Sequence, residues 1–168
     1  MDTTSNALSR ILHLLAQHPD VQEKLRAEII EAQGGDRSDI AYDDLIKLPY
    51  LDAICRETLR LYAPVPLAGP RLYGCHFSCT PPKYLTTYCS ASKDIVVPLS
   101  RPVRGRDGRE ITEIFIPRGT TILTNIQASN ADKVLWGDDA MEWKPERWLT
   151  PLPAPLEDAR IPGVYAHL

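Results

Sequence analysis

The chain has no apolar run approaching the roughly 20 residues of a membrane span, and its opening Met1-Asp-Thr-Thr-Ser-Asn6 lacks a signal-peptide pattern. The sequence therefore offers neither a transmembrane segment nor an export signal. Excess charge is also missing. Against 22 Asp and Glu stand 19 Lys and Arg, a formal net charge of -3, which gives no electrostatic footprint for nucleic acid. The four cysteines make no disulfide framework, so a reducing compartment is the default. Proline is scarce early on: of 15, only Pro19 and Pro49 precede Arg60. The first third is thus expected to be helical and the rest loop and short strand. What is present is enough for one domain: 168 residues, 43% of them hydrophobic.

Periodicity predicts a helix over residues 2–17, where Ala7, Leu8, Ile11, Leu12, Leu14 and Leu15 form a wide apolar face. His18-Pro19-Asp20 breaks it. A second amphipathic helix spans 20–33, with Val21, Leu25 and Ile29 on one stripe, and Gly34-Gly35 ends it. Tyr42 to Lys47 reads as a short helix leading to Pro49. Further on, Asp107-Gly108 signals a tight turn between Pro102-Val-Arg-Gly and Ile111-Thr-Glu-Ile-Phe-Ile116. Pro117-Arg-Gly119 then turns into a strand over Thr120 to Ile126. Arg101, Arg104, Arg106 and Arg109 cluster near this hairpin and read as its solvated face.

The stretch Leu51-Asp-Ala-Ile-Cys-Arg-Glu-Thr-Leu-Arg-Leu-Tyr-Ala-Pro-Val-Pro66 carries the strongest signal. Leu51, Ile54, Cys55, Leu59 and Tyr62 recur at helical spacing, and Pro64 ends the pattern. Glu57 and Arg60, three residues apart, share one face of that helix. Charges on a mostly apolar helix need partners, because unpaired charge is costly to bury. A second arginine in an unusual setting stands at Trp143-Lys-Pro-Glu-Arg-Trp148. One Glu and two Arg could form a satisfied buried triad.

The helix with Glu57-x-x-Arg60 and the later Pro145-Glu-Arg-Trp148 together resemble the cytochrome P-450 family of haem-thiolate monooxygenases. Glu-Thr-Leu-Arg-Leu-Tyr-Ala-Pro-Val-Pro looks like that family's K helix, and Pro-Glu-Arg-Trp like its meander. The resemblance covers nearly all of the chain except residues 72 to about 91. It implies a mainly α fold with small β hairpins (α+β), a partial cytochrome P-450 fold. Residues 1–62 correspond to helices resembling I, J, J′ and K, 72–91 to an insertion, 93–130 to short strands and 131–168 to the meander region.

The resemblance also implies roles. Glu57, Arg60 and Arg147 correspond to a structural triad. By position, Asp2 and Thr3 match an acid–threonine pair that delivers protons to iron-bound dioxygen; read from the residues alone they are equally helix caps. Arg71 corresponds to a haem-propionate contact, with a solvated loop arginine as the plain alternative. The implied cofactor is haem held by a cysteine thiolate, with electrons from NAD(P)H through a reductase partner and a small organic substrate. Val65 to Ala68 and Thr121 to Ile126 would contribute part of the pocket. Anchored family members reside at the endoplasmic reticulum membrane, though no anchor is read here. The ligand loop, Phe-x-x-Gly-x-Arg-x-Cys-x-Gly, follows the meander in the family, and none of Cys55, Cys75, Cys79 and Cys89 has that context. The chain by itself is therefore expected to bind no thiolate-ligated haem and to be inactive. The rival reading is a non-catalytic structural or interaction fragment.

Residues 72–91 show no helix or strand period and interrupt family-like text running from Pro70-Arg71 to Lys93-Asp94. A long structureless loop inside a compact domain is unusual, and the segment is expected to be a translated intron. Continuous coverage of the segment in mature transcript would sink that idea. Its Cys75-His76-x-x-Cys79 and Cys89 match no standard zinc spacing. His13 and His18 read as surface or cap residues, and Trp136, Trp143 and Trp148 as packing anchors.

Overall fold

A computed structural model of the protein describes residues 3–34, 39–68, 77–79 and 89–158. The chain forms two compact units, Met1–Pro66 with Ile126–Leu168, and Leu67–Asn125. It is mainly helical with small antiparallel ladders. Among the described residues no helix is long and apolar enough to cross a membrane.

The first unit opens with α1 (Thr3–Gln17), α2 (Pro19–Ala32), α3 (Tyr42–Leu45) and α4 (Pro49–Leu61). Pro19 and Pro49 each sit at the start of a helix, where a missing N–H costs nothing. Gly34, at φ +63, follows the last turn of α2, a left-handed position that suits glycine. Leu15, Val21, Leu25, Tyr50 and Ile54 form the core that joins α1, α2 and α4, with Ile29 and Trp143 packed against it. The wide apolar face of α1 is only partly used: Leu14 and Leu15 are buried, whereas Leu8 and Leu12 are exposed.

The same unit resumes with α5 (Ile126–Asn130), α6 (Lys133–Trp136), a 3-10 helix (Pro145–Leu149) and α7 (Ala154–Asp158). Asp132 caps α6 by accepting from the Val134 N–H at 2.9 Å. Trp136, Ala140 and Leu156 make a second small core, joined by Leu135, Trp148 and Leu152.

The second unit contains β1 (Leu67–Ala68), β2 (Phe77–Cys79), β3 (Cys89–Ala91), β4 (Ile95–Arg104), β5 (Glu110–Ile116), β6 (Thr121–Ile122) and β7 (Thr124–Asn125). β4 and β5 form the expected hairpin, with Ile95 opposite Ile116 and Arg104 opposite Glu110. Its turn is closed by Gly108 N–H to Gly105 O at 3.0 Å and Gly105 N–H to Arg109 O at 2.8 Å. Gly108 takes φ +82 there, the freedom the Asp107-Gly108 signal requires. Leu99 to Pro102 bulge out of register opposite Thr112. β1 pairs with β7, and β2, β3 and β6 form a three-stranded sheet.

Two features differ from the sequence expectations. The segment without a period contains β2 and β3, because three-residue strands joined by backbone ladders carry too few side chains to alternate. The strand expected to run through Ile126 stops at Asn125, and α5 replaces strand over Ile126–Asn130. There Gln127 donates its N–H to Pro66 O at 3.2 Å and its side-chain amide to Leu61 O at 2.7 Å.

Candidate functional site

The site grows from α4. Leu48 at its N-cap offers no side-chain cap. The Glu28 carboxylate, reaching across from α2, accepts instead from the Tyr50 N–H at 2.8 Å and the Leu51 N–H at 3.0 Å. These are orphan donors of the first turn, and a carboxylate there also favours the positive end of the helix. The helix then buries Ala53, Ile54 and Leu61 together with Glu57, Thr58 and Arg60.

Glu57 and Arg60 are both 0% exposed. Arg60 holds Glu57 in a fork, Nε to Oε2 at 2.8 Å and Nη2 to Oε1 at 2.7 Å, the bidentate form that gives the strongest charge-assisted pairing. Its remaining donors go to main-chain carbonyls: Nη1 to Asn130 O and to Ala140 O, both at 2.6 Å, and Nη2 to Glu142 O at 3.2 Å. The guanidinium also lies 4.8 Å from the Trp136 ring centroid. Glu57 accepts further from the Lys144 N–H and the Trp148 indole N–H, each at 3.0 Å. Thr58 accepts from the Trp143 indole at 3.0 Å and donates to Ile54 O at 2.8 Å.

Arg147, on the 3-10 helix, reaches Glu57 Oε1 only at 3.5 Å. Its closer partners are Asp139 Oδ1 at 2.8 Å, Asp139 O at 2.9 Å and Trp136 O at 3.2 Å. The Arg147 hydrogen bond holds the Asp139 carboxyl below its ordinary range, with Lys144 adding to the effect. Beside this cluster Glu146 accepts from Tyr50 Oη at 2.9 Å and from Lys24 Nζ at 2.6 Å. Nearly every donor and acceptor of the buried charges is thus engaged. Such an arrangement fixes a helix against an irregular segment.

The cytochrome P450 family model matches residues 1–75. A ganoderic acid synthetase of Ganoderma lucidum is 59% identical over 170 residues, covering 100% of this chain and 28% of that protein. Cytochrome P-450 monooxygenase 91 of Postia placenta is 55% identical, over 100% of this chain and 27% of its own length. Among solved structures, a zebra fish cytochrome P-450 with progesterone superposes with a TM-score of 0.60 at 28% identity, covering 88% of this chain and 27% of that one. The chain belongs to the cytochrome P-450 family. It spans a little over a quarter of the curated relatives named here, 28% and 27% of their lengths.

Within this P-450 chain the other candidate residues fall as follows. Thr3 is the first residue of α1 and is exposed. Asp2 and Arg71 lie outside the described residues. The two segments assigned to the pocket meet as a ladder, Leu67 opposite Asn125 and Ala68 opposite Thr124. His18 occupies the N-cap of α2, its ring 5.0 Å from that of Trp143. Among the described residues no group of three or more His, Cys, Asp or Glu could hold a metal ion, and Cys75 and His76 lie outside them. The described side chains do not fit a haem-iron thiolate. Cys55 is half-buried on α4, and burial first, then the Asp52 charge, pushes its thiol up and away from the thiolate form.

Sequence reasoning missed three parts of the site: the Glu28 cap, the Asp139 partner and the carbonyl acceptors of Arg60. Only Asp139 left a trace in sequence, as an acidic residue eight positions before Arg147. Trp148 and Trp143, expected as packing anchors, are also hydrogen-bond donors, to Glu57 and Thr58 respectively.

Proposed function

We propose that the chain is a portion of a haem-dependent monooxygenase, an oxidoreductase that places one atom of dioxygen in a small organic substrate. Electrons come from NAD(P)H through a reductase partner. The observation supporting this is the fully buried Glu57 carboxylate, gripped in a fork by Arg60 and approached by Arg147. In this reading the clasp holds α4 against the segment from Asn130 to Trp148 and takes no part in proton transfer. Asp2 and Thr3 supply the proton-delivery pair, and Arg71 meets a haem propionate.

By itself the chain binds no thiolate-ligated haem and carries no monooxygenase activity. Cys55 disfavours the thiolate, and no cysteine lies in the family's glycine-rich loop. The purified chain, incubated with haemin, reduced and exposed to carbon monoxide, is expected to show no thiolate-type Soret band. A band lost on substituting one cysteine by serine would overturn this. The genomic DNA flanking the reading frame tests the wider proposal: Ala-Gly codons just upstream and the cysteine loop just downstream are expected. Unrelated sequence on both sides would refute it.

A further inference from the structure

The 3-10 helix that carries Arg147 ends at Thr150, whose backbone is extended, at φ -122 and ψ 160. Pro151 follows, and a residue before proline is biased toward that extended region. Thr150 and Pro151 are exposed, whereas Leu152 is half-buried against the core of Trp136, Ala140 and Leu156. The segment is thus anchored on both sides, by the 3-10 helix before it and by Leu152 after it. The Thr150 hydroxyl donates to Arg147 O at 3.2 Å, longer than the about 2.5–3.0 Å of an ordinary hydroxyl bond. Of the serines and threonines in the chain, Thr80 and Thr150 alone precede a proline, and Thr80 lies outside the described residues.

Thr150 shares a hollow of about 320 Å³ with Asp139, Lys144, Glu146 and Arg147. Asp139 accepts from Arg147 at 2.8 Å and from Lys144 at 3.2 Å. Glu146 accepts from Lys24 at 2.6 Å and from Tyr50 Oη at 2.9 Å. Three cations therefore stand against two carboxylates. Lys144 is the movable member: its side chain is 53% exposed, and Asp139 keeps Arg147 if Lys144 turns away. A phosphate carries close to two negative charges and three acceptor oxygens, and one tethered at Thr150 would meet this excess of positive charge.

We propose that Thr150 is the acceptor of a proline-directed protein kinase, and that the phosphate then docks in this hollow on Lys144 and Arg147. The threonine Oγ attacks the γ-phosphorus of magnesium-bound ATP, the bond from that phosphorus to the β-bridging oxygen breaks, and ADP leaves. The hydroxyl proton passes to the carboxylate of the kinase's catalytic loop. The acceptor segment is already extended, so it enters such a site without unwinding a helix. Docking draws Lys144 from Asp139 to the phosphate and leaves Asp139 to Arg147.

The test incubates the 168-residue chain with a proline-directed serine/threonine kinase and magnesium ATP, maps phosphate by mass spectrometry and titrates it by phosphorus NMR. Phosphate is expected at Thr150 and is lost there in Thr150→Ala. An unmodified Thr150 overturns the proposal, as does phosphate confined to Thr80. The second ionisation of a threonine phosphate falls at about pH 6. Lys144, Arg147 and Lys24 lower it while Asp139 and Glu146 raise it, so the excess of cations predicts a midpoint below that value. In Lys144→Gln the midpoint should move back up toward it; the same midpoint in both proteins overturns the docking. Should Lys144→Gln fail to fold, the midpoint of the unsubstituted chain in buffer is compared with that in urea, and equal values overturn the docking.

Discussion

Replacing Glu57 by glutamine keeps the shape of the side chain and removes its charge. The carboxylate accepts from Arg60 Nε and Nη2, Arg147 Nε, the Lys144 N–H and the Trp148 indole. An amide offers one carbonyl oxygen and adds two N–H donors, which would face donors already pointing inward. Breaking a buried ion pair by neutralising one partner costs about 3–5 kcal/mol. Arg60 keeps three carbonyl acceptors and Arg147 keeps Asp139, so the lower end applies, about 3 kcal/mol. That is a large share of the roughly 5–15 kcal/mol that holds a domain folded. The three tryptophans are suited to report it: Trp136 lies under Arg60, Trp148 donates to Glu57 and Trp143 donates to Thr58. In urea unfolding followed by tryptophan fluorescence, the midpoint of Glu57→Gln should fall by about 1–3 M, given slopes of about 1–3 kcal/mol per M. The control is Lys47→Gln, which breaks an exposed pair with Asp44 at 3.0 Å and should cost less than about 0.5 kcal/mol. A Glu57→Gln cost as small as the control's, at unchanged slope, would refute the reasoning.

Glu28→Ala should uncap α4, costing about 0.5–2 kcal/mol and speeding hydrogen exchange at the Tyr50 and Leu51 amides; unchanged exchange would show that Glu28 is not the cap. Asp139 supplies a pH signature. Its carboxyl is held below the ordinary 3.8, chiefly by the Arg147 hydrogen bond. Its contribution is therefore present above about pH 4 and is lost as pH falls through the depressed folded value. Urea midpoints of the unsubstituted chain should drop more steeply below about pH 4 than those of Asp139→Asn; parallel curves would contradict the ion pair.

What could be foreseen from the sequence was local in origin. The spacing of Leu51, Ile54 and Leu59 marks α4, the prolines mark helix starts, and Asp107-Gly108 marks the hairpin turn. Glu57 and Arg60 meet because three residues make nearly one helical turn. What could not be foreseen depends on packing between distant segments. Glu28 caps a helix that starts 21 residues later in the chain, from Pro49. Asn130 and Ala140 serve Arg60 through their carbonyls, which every residue possesses, so sequence gives no sign of the choice. β2 and β3 are visible only once paired. The boundary between β7 and α5 depends on Gln127, whose side chain finds Leu61 O, a partner with no signature of its own.

The carbonyl partners of the clasp have a further consequence for tolerance to change. Arg60 binds the backbone of Asn130, Ala140 and Glu142, and Arg147 binds that of Trp136 and Asp139. Two guanidinium groups thus take the place that water or a neighbouring strand would have beside an irregular stretch of chain. They recognise its path and ignore most of its lettering. Substitutions at Asn130, Ala140 or Glu142 that preserve that path leave these bonds in place, whereas inserting or deleting a single residue between 130 and 142 would displace several acceptors at once. For this part of the molecule, chain length is a stricter requirement than residue identity.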